Sequence, residues 1–159
     1  MTASRQRSYR RTVVSFLALG FILQAAAIAV GSIGDLVFDD FIHDNPYRPR
    51  SDALMQIALS PLRALFGALM ISELWLGGAT ILALASHRIW GRVPFGSIMV
   101  MLPICGSLLY LQGQVVLAPG DTDLDFSLPY AVLRNAAMQL PILIGCWWWN
   151  DRAATKVTG

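Results

Sequence analysis

The sequence predicts an all-α integral membrane protein, a bundle of four transmembrane helices with both termini in the cytoplasm. Hydrophobic residues make up 55% of the chain and charged residues only 14%, whereas a soluble domain carries about 25% charged residues. Four continuous apolar stretches each approach the roughly 20 residues that cross a hydrocarbon core. Basic residues are concentrated at alternate ends of these stretches, and this pattern orients them.

The four stretches are predicted to form one membrane domain that occupies residues 1–159. The predicted spans cover residues 12–36, 61–85, 93–112 and 128–149. A long mixed segment, a short turn and an acidic segment connect them, at residues 37–60, 86–92 and 113–127.

Arginine and lysine residues set the predicted orientation. One side of the spans carries the N-terminus, the 86–92 turn and the C-terminus, with Arg5, Arg7, Arg10, Arg11, Arg88, Arg92, Arg152 and Lys156. The connections on the other side hold Arg48 and Arg50 among several aspartates. Because basic residues are retained in the cytoplasm, both termini are predicted to lie there.

The N-terminal segment also admits a second interpretation. Arg10 and Arg11 precede an apolar run that contains Ala25-Ala26-Ala27, which is a pattern typical of a cleaved secretory signal. The run continues to Leu36 and is longer than the roughly 7–15 residues of a signal core. An uncleaved membrane anchor is therefore favoured, and a cleaved signal remains the alternative.

Each span carries a polar side chain near its middle, judged from a helical rise of about 1.5 Å per residue. The candidates for a ligand or proton site are Gln24, Glu73, Gln139 and Ser107. Because hydrocarbon offers no hydrogen-bond partners, we expect these groups to turn inward toward one another. Alternatively, they form hydrogen bonds that hold neighbouring helices together, each contributing about 1 kcal/mol or less. Packing is favoured for the glutamines, and both interpretations stand for Glu73.

A second set of polar residues lies near the predicted outer surface. It comprises Arg63, Arg134, Asn135, Asp35 and Asp39. An arginine just inside a span needs a partner or a path for its guanidinium to reach water. The set therefore predicts ion pairs between Asp35 or Asp39 and an arginine, or an outer cavity in which two arginines hold an anionic group.

Several classes of function leave no pattern in the chain. Cys105, Cys146, His43 and His87 lack zinc-ligand spacing, so no metal site is predicted. No HExxH, GxSxG or CxxC motif occurs, so no catalytic residue is assigned and an enzyme ranks last. No basic stripe with interleaved aromatics points to nucleic acid. No cofactor is predicted, although the bundle core could accept a quinone or a bound lipid.

The start of the second span, Ser60-Pro-Leu-Arg-Ala-Leu-Phe-Gly-Ala-Leu-Met, resembles the R-A-x-[FY]-G-[GA] motif of DoxX-like bacterial membrane proteins. The resemblance covers this motif and the layout of four helices with a long first outer loop and a short inner turn. It implies a multi-pass protein of the bacterial cytoplasmic (inner) membrane. Some of these families are associated with quinone-linked or thiol-linked respiratory functions. This chain has Ile104-Cys105-Gly106-Ser107 where a glycine-arginine pair is expected, so no activity is transferred.

Two hypotheses for function follow. The first is an accessory or interaction subunit of a membrane complex, whose partners are the lipid bilayer and other membrane subunits or a second copy of the chain. The second is a binder or transporter of a small lipophilic or anionic ligand, quinone-like or lipid-like, in the bundle core.

Overall fold

A computed structural model of the chain describes residues 3–38, 50–116 and 128–155. In these ranges the chain is all-helical and forms four helical rods, which confirms the predicted fold class at this level. The first rod is continuous and consists of α1 (Ala3–Val13), a π-helical segment (Val14–Leu19) and α2 (Gly20–Val37). The other three rods are α3 (Arg50–Trp90), α4 (Gly96–Val116) and α5 (Leu128–Thr155).

Helix α3 begins at Arg50, well before the predicted start of the second span at residue 61. Pro61, the first residue of the predicted span, therefore lies inside the helix. Inside a helix, proline leaves the carbonyl four residues earlier without its N–H donor. The hydroxyl of Ser60 donates to that carbonyl, Ile57 O, at 2.9 Å. The helix therefore passes through Pro61 with this carbonyl satisfied.

Two helices are long and apolar enough to cross a membrane, Gln6–Val37 with 32 residues and Leu54–Trp90 with 37. The described apolar part of α4, Gly96–Gln112, is shorter. Helix α5 carries Arg134, Asn135 and Gln139 within its apolar stretch, which lowers its hydropathy.

The rods pack in chain order, with the first rod against α3, α3 against α4 and α4 against α5. The π-helical segment also contacts α5, so the ring of rods closes there. Large core side chains are Phe16, Trp75, Ile98, Met101 and Leu143.

Two glycines shape this arrangement. Gly91 ends α3 with a positive φ of 72°, and its N–H donates to His87 O at 2.9 Å, as in a helix C-cap. At Gly106, an added Cβ would lie 2.7 Å from the backbone oxygen of Val132. The missing side chain at Gly106 therefore lets the backbones of α4 and α5 come together.

Candidate functional site

The described part of the bundle combines an apolar outer surface with an interior that contains many polar side chains. Large aliphatic side chains lie on the outside, including Val30 at 70% exposure, Leu133 at 69% and Ile81 at 68%. Many of the buried side chains are polar instead, among them Thr12, Ser15, Ser60, Ser72, Gln112, Gln139 and Asn150. Burial of large apolar side chains normally stabilises a fold in water. Here many large apolar side chains are exposed on the outer surface as well.

A chain of hydrogen bonds joins three rods in the middle of the core. The side-chain amide of Gln139 donates to Cys105 O at 3.3 Å, and the thiol of Cys105 donates to Trp75 O at 3.6 Å. Gln139 is only 1% exposed. These contacts connect α5 to α4 and α4 to α3, which is the geometry of packing bonds between helices.

Cys105 and Cys146 are both buried free thiols. Buried polar atoms without a described hydrogen-bond partner also line this region, namely Gln139 Oε1 and Trp75 Nε1.

Glu73 does not turn inward, contrary to the expectation from the sequence. Its side chain is exposed on the outer surface of α3. The inward positions of this stretch are taken by Ser72, Trp75 and Leu76, all buried, and each residue turns a helix by about 100°. Within the described ranges, Glu73 has no hydrogen-bond or ion-pair partner. Among the described residues, the Glu73 carboxyl group therefore stands without a partner on an apolar surface.

Beside Glu73 lies an open apolar groove of about 300 Å³. We call it the Glu73 groove, and its lining consists of Leu17, Ala18, Phe21, Ala68, Leu69, Ser72, Glu73 and Leu76. Leu17 and Ala18 belong to the π-helical segment, a rare form of backbone that occurs frequently at functional sites. The groove thus lies between the first rod and α3, next to the exposed carboxyl group of Glu73.

Glu73 also belongs to an exposed stripe along α3, which we call the α3 stripe. Its members recur at three- and four-residue spacing and so share one helix face, namely Phe66, Met70, Glu73, Gly77 and Ile81. Phe66, Met70 and Ile81 are large and exposed. A Cβ added to Gly77 would meet nothing within 4 Å. The stripe therefore has a notch one helical turn after its carboxyl group.

The other mid-depth candidates do not join Glu73. Gln24 is half-buried on α2, and the Ser107 hydroxyl donates to Pro103 O of its own helix at 2.8 Å. In the part of the chain that the structure describes, no hydrogen bond links Gln24, Glu73 and Gln139. The expected central cluster is thus divided between the core, where Gln139 lies, and the outer surface, where Glu73 lies.

The outer polar set is likewise dispersed. Asp35, Arg63 and Arg134 are all exposed, and Asn135 is half-buried. Among the described side chains, no ion pair joins Asp35 to Arg63 or Arg134. Asp39, the other predicted partner, lies outside the described residues.

A polar cluster at the other end of the bundle was missed by the sequence reasoning. We call it the inner polar cluster, and it consists of Ser8, Tyr9, Arg11, Thr12, His87 and Asn150. His87 contacts the Ser8 hydroxyl and stacks on Tyr9, while the Thr12 hydroxyl donates to Asn150 Oδ1 at 3.3 Å. The hydroxyls of Ser8, Thr12 and Ser15, at i, i+4 and i+7, share one helix face. That spacing was the signal available in the sequence.

Gln112 is a second residue that sequence reasoning passed over. Its amide donates to Met70 O at 2.6 Å and so joins α4 to α3. At the opposite end, the indole N–H of Trp147 donates to Val93 O at 2.9 Å. The Gln112 bond joins two rods and the Trp147 bond joins α5 to the connection between α3 and α4. Neither bond needs a ligand.

No protein-family model, no curated protein and no solved structure matches the chain. Any function of the Glu73 groove or the α3 stripe is therefore inferred from the chemistry of their own residues.

Proposed function

We propose that the chain is a multi-pass protein of the bacterial cytoplasmic membrane in which all four rods cross the bilayer and both termini lie inside. The apolar outer surface supports this proposal, since lipid is the solvent that favours exposed Val30, Ile81 and Leu133. The buried hydroxyls and amides support it too. In hydrocarbon every polar group must find its partner inside the protein.

Aromatic side chains support the proposed orientation. Trp90, Trp148 and Trp149 are exposed at the rod ends that carry the basic residues. The guanidinium of Arg152 lies 3.9 Å from the centre of the Trp148 ring, a favourable cation–π contact. Tryptophan is enriched where membrane meets water, and arginine on the cytoplasmic side.

Within the membrane, the chain acts as an interaction subunit. The observation that carries this function is the exposed carboxyl of Glu73 on the surface assigned to lipid. A carboxyl group facing hydrocarbon is costly, and such residues almost always face other protein or a water-filled cavity. A helix of another membrane protein that brings a hydrogen-bonding group to the α3 stripe would remove this cost.

The Glu73 groove favours a second candidate function, the binding of a small lipophilic ligand. Its volume of about 300 Å³ lies at the lower end of the range for ligand sites. Its lining suits an isoprenoid or acyl chain, and Glu73 at its edge suits the polar head of a quinone or lipid. This site lies on the side of the bundle and not in its core.

Native mass spectrometry of the detergent-extracted protein distinguishes the two functions. An interaction subunit retains a second polypeptide, and Glu73→Leu loses it. Asp35→Leu, which removes another exposed acid from the first rod, is the matched control and keeps the partner. A retained quinone or lipid that depends on Glu73 supports the ligand-binding function instead. A bare monomer in every sample contradicts both.

A further inference from the structure

We propose that one end of the bundle binds anionic phospholipids, with headgroup phosphates between its exposed arginines and acyl chains against its exposed aromatic rings. We call this end the basic end and define it as the described residues 3–13, 85–98 and 146–155. The inference rests on the proposed function, because it concerns the bilayer in which the chain is proposed to lie. It adds a preference for one class of lipid.

The charge of the basic end is strongly unbalanced. It contains seven arginines and one acidic residue, Asp151. The opposite end of the bundle, residues 28–38, 50–63, 110–116 and 128–135, contains three arginines and two aspartates. A cluster of this many basic residues next to membrane-spanning helices is typical of surfaces that attract anionic lipid. The partner of the basic end is therefore expected to be an anion.

A contact between α1 and α3 brings arginines from both rods to one surface. Ser8 contacts His87, and the neighbouring residues Arg7 and Arg88 are exposed, as is Arg10. Within the described ranges, none of these three arginines has an ion-pair partner. Arg7 and Arg10 are three positions apart on one helix, where like charges repel each other. A phosphate group beside them would offset this repulsion.

Helix α5 extends this surface to the connection between α3 and α4. The indole N–H of Trp147 donates to Val93 O at 2.9 Å, and this bond holds the exposed Arg92 near the end of α5. The guanidinium of Arg152 lies 3.9 Å from the centre of the Trp148 ring. The basic end thus combines cationic groups from the first rod, from the end of α3 and from α5.

Exposed aromatic rings favour a phospholipid over an anion dissolved in water. Trp90, Phe95, Trp148 and Trp149 are each between 45% and 59% exposed. Tryptophan is enriched where acyl chains meet headgroups, and the planar guanidinium fork of arginine suits phosphate. An anionic phospholipid offers a phosphate and an apolar chain in one molecule, whereas free phosphate leaves the rings in water.

Quenching of tryptophan fluorescence by brominated phospholipids tests this surface in the full chain. Four of the five tryptophans lie at the basic end, so they report on the lipids there. Brominated phosphatidylglycerol or brominated phosphatidylcholine is included at the same mole fraction in phosphatidylcholine vesicles. We expect phosphatidylglycerol to quench more strongly at low salt and the difference to shrink at high salt, because salt screens exposed charges. Equal quenching by the two lipids at low salt overturns the inference.

Arginine variants then test which residues hold the lipid. Arg88→Gln combined with Arg92→Gln should lower the relative affinity for phosphatidylglycerol by up to about fivefold for each arginine. Lysine at both positions keeps the charge and should keep most of the preference. Arg63→Gln combined with Arg134→Gln, at exposed arginines of the opposite end, is the matched control. An unchanged preference in the first variant, or an equal loss in the control, overturns the inference.

The outcomes separate this inference from the proposed function. If both lipids quench equally, the chain lies in the bilayer without a lipid preference, so only the inference fails. If neither lipid quenches, the tryptophans lie outside the bilayer and the proposed membrane location fails as well. If inorganic phosphate at matched ionic strength abolishes the preference, the basic end binds free phosphate and the lipid is the wrong partner.

Discussion

The hydroxyl of Ser8 lies 2.5 Å from Nε2 of His87, and this hydrogen bond joins α1 to the C-terminal end of α3. The Tyr9 ring stacks on the imidazole with 5.0 Å between ring centres, and Arg11 Nη2 donates to Ser8 Oγ at 3.3 Å. His87 is buried. The two residues are 79 positions apart in the chain, so the contact fixes the packing of the first rod against α3.

We expect His87→Ala to destabilise the folded protein by about 0.5–3 kcal/mol, because it removes a buried ring that stacks on Tyr9 and contacts the half-buried Ser8 hydroxyl. Ser8→Ala should cost less, and the double mutant should show a coupling energy of at least about 0.5 kcal/mol. Unfolding in detergent measures these values. Arg88→Ala, at the exposed neighbouring position, serves as control. Equal stability of the His87 and Arg88 variants would show that the inner polar cluster does not contribute to the free energy of unfolding.

Gly106→Ala should destabilise the contact between α4 and α5. Its Cβ would lie 2.7 Å from the oxygen of Val132 and 3.2 Å from Ala136 Cβ, and overpacking of this kind costs about 1–3 kcal/mol. Gly31→Ala is the control, since its Cβ meets nothing within 4 Å and alanine favours helix by up to about 1 kcal/mol. A melting temperature for Gly106→Ala at or above that of Gly31→Ala would contradict the close approach.

Gln139→Leu should be tolerated if Gln139 is a packing residue. The variant loses one hydrogen bond to Cys105 O, worth about 1 kcal/mol or less. It also removes Oε1, which has no described partner. The unfolding free energy in detergent should stay close to that of the parent. A variant that folds normally yet fails to complement a deletion would instead make Gln139 part of a functional site.

The sequence predicted the helical rods because a continuous apolar run of about 20 residues is typical of a membrane-spanning helix. It did not predict that helix α3 extends before Pro61 to Arg50, since the bond from Ser60 to Ile57 O, which satisfies the carbonyl left free by Pro61, is a local detail of side-chain geometry. The single domain of residues 1–159 stays a prediction.

The position of Glu73 along the predicted span did not show whether its side chain faces the core or the outer surface. Helical periodicity shows which residues share a face with Glu73, but not which faces the neighbouring rods cover. The first rod and α4 pack on the side of α3 that carries Ser72, Trp75 and Leu76, and this leaves Glu73 outside. The inner polar cluster was hidden for a similar reason, because it joins residues far apart in the chain.

Cysteine labelling in intact bacterial cells shows whether these rods cross a membrane with both termini in the cytoplasm. Single cysteines would replace Ser51, Thr122 or Thr155 in a chain that lacks Cys105 and Cys146. We expect an impermeant thiol reagent to label Ser51→Cys and Thr122→Cys in intact cells, and Thr155→Cys only after permeabilisation. Labelling of Thr155→Cys alone in intact cells would contradict the orientation, and labelling of all three only after permeabilisation would contradict the membrane-spanning arrangement.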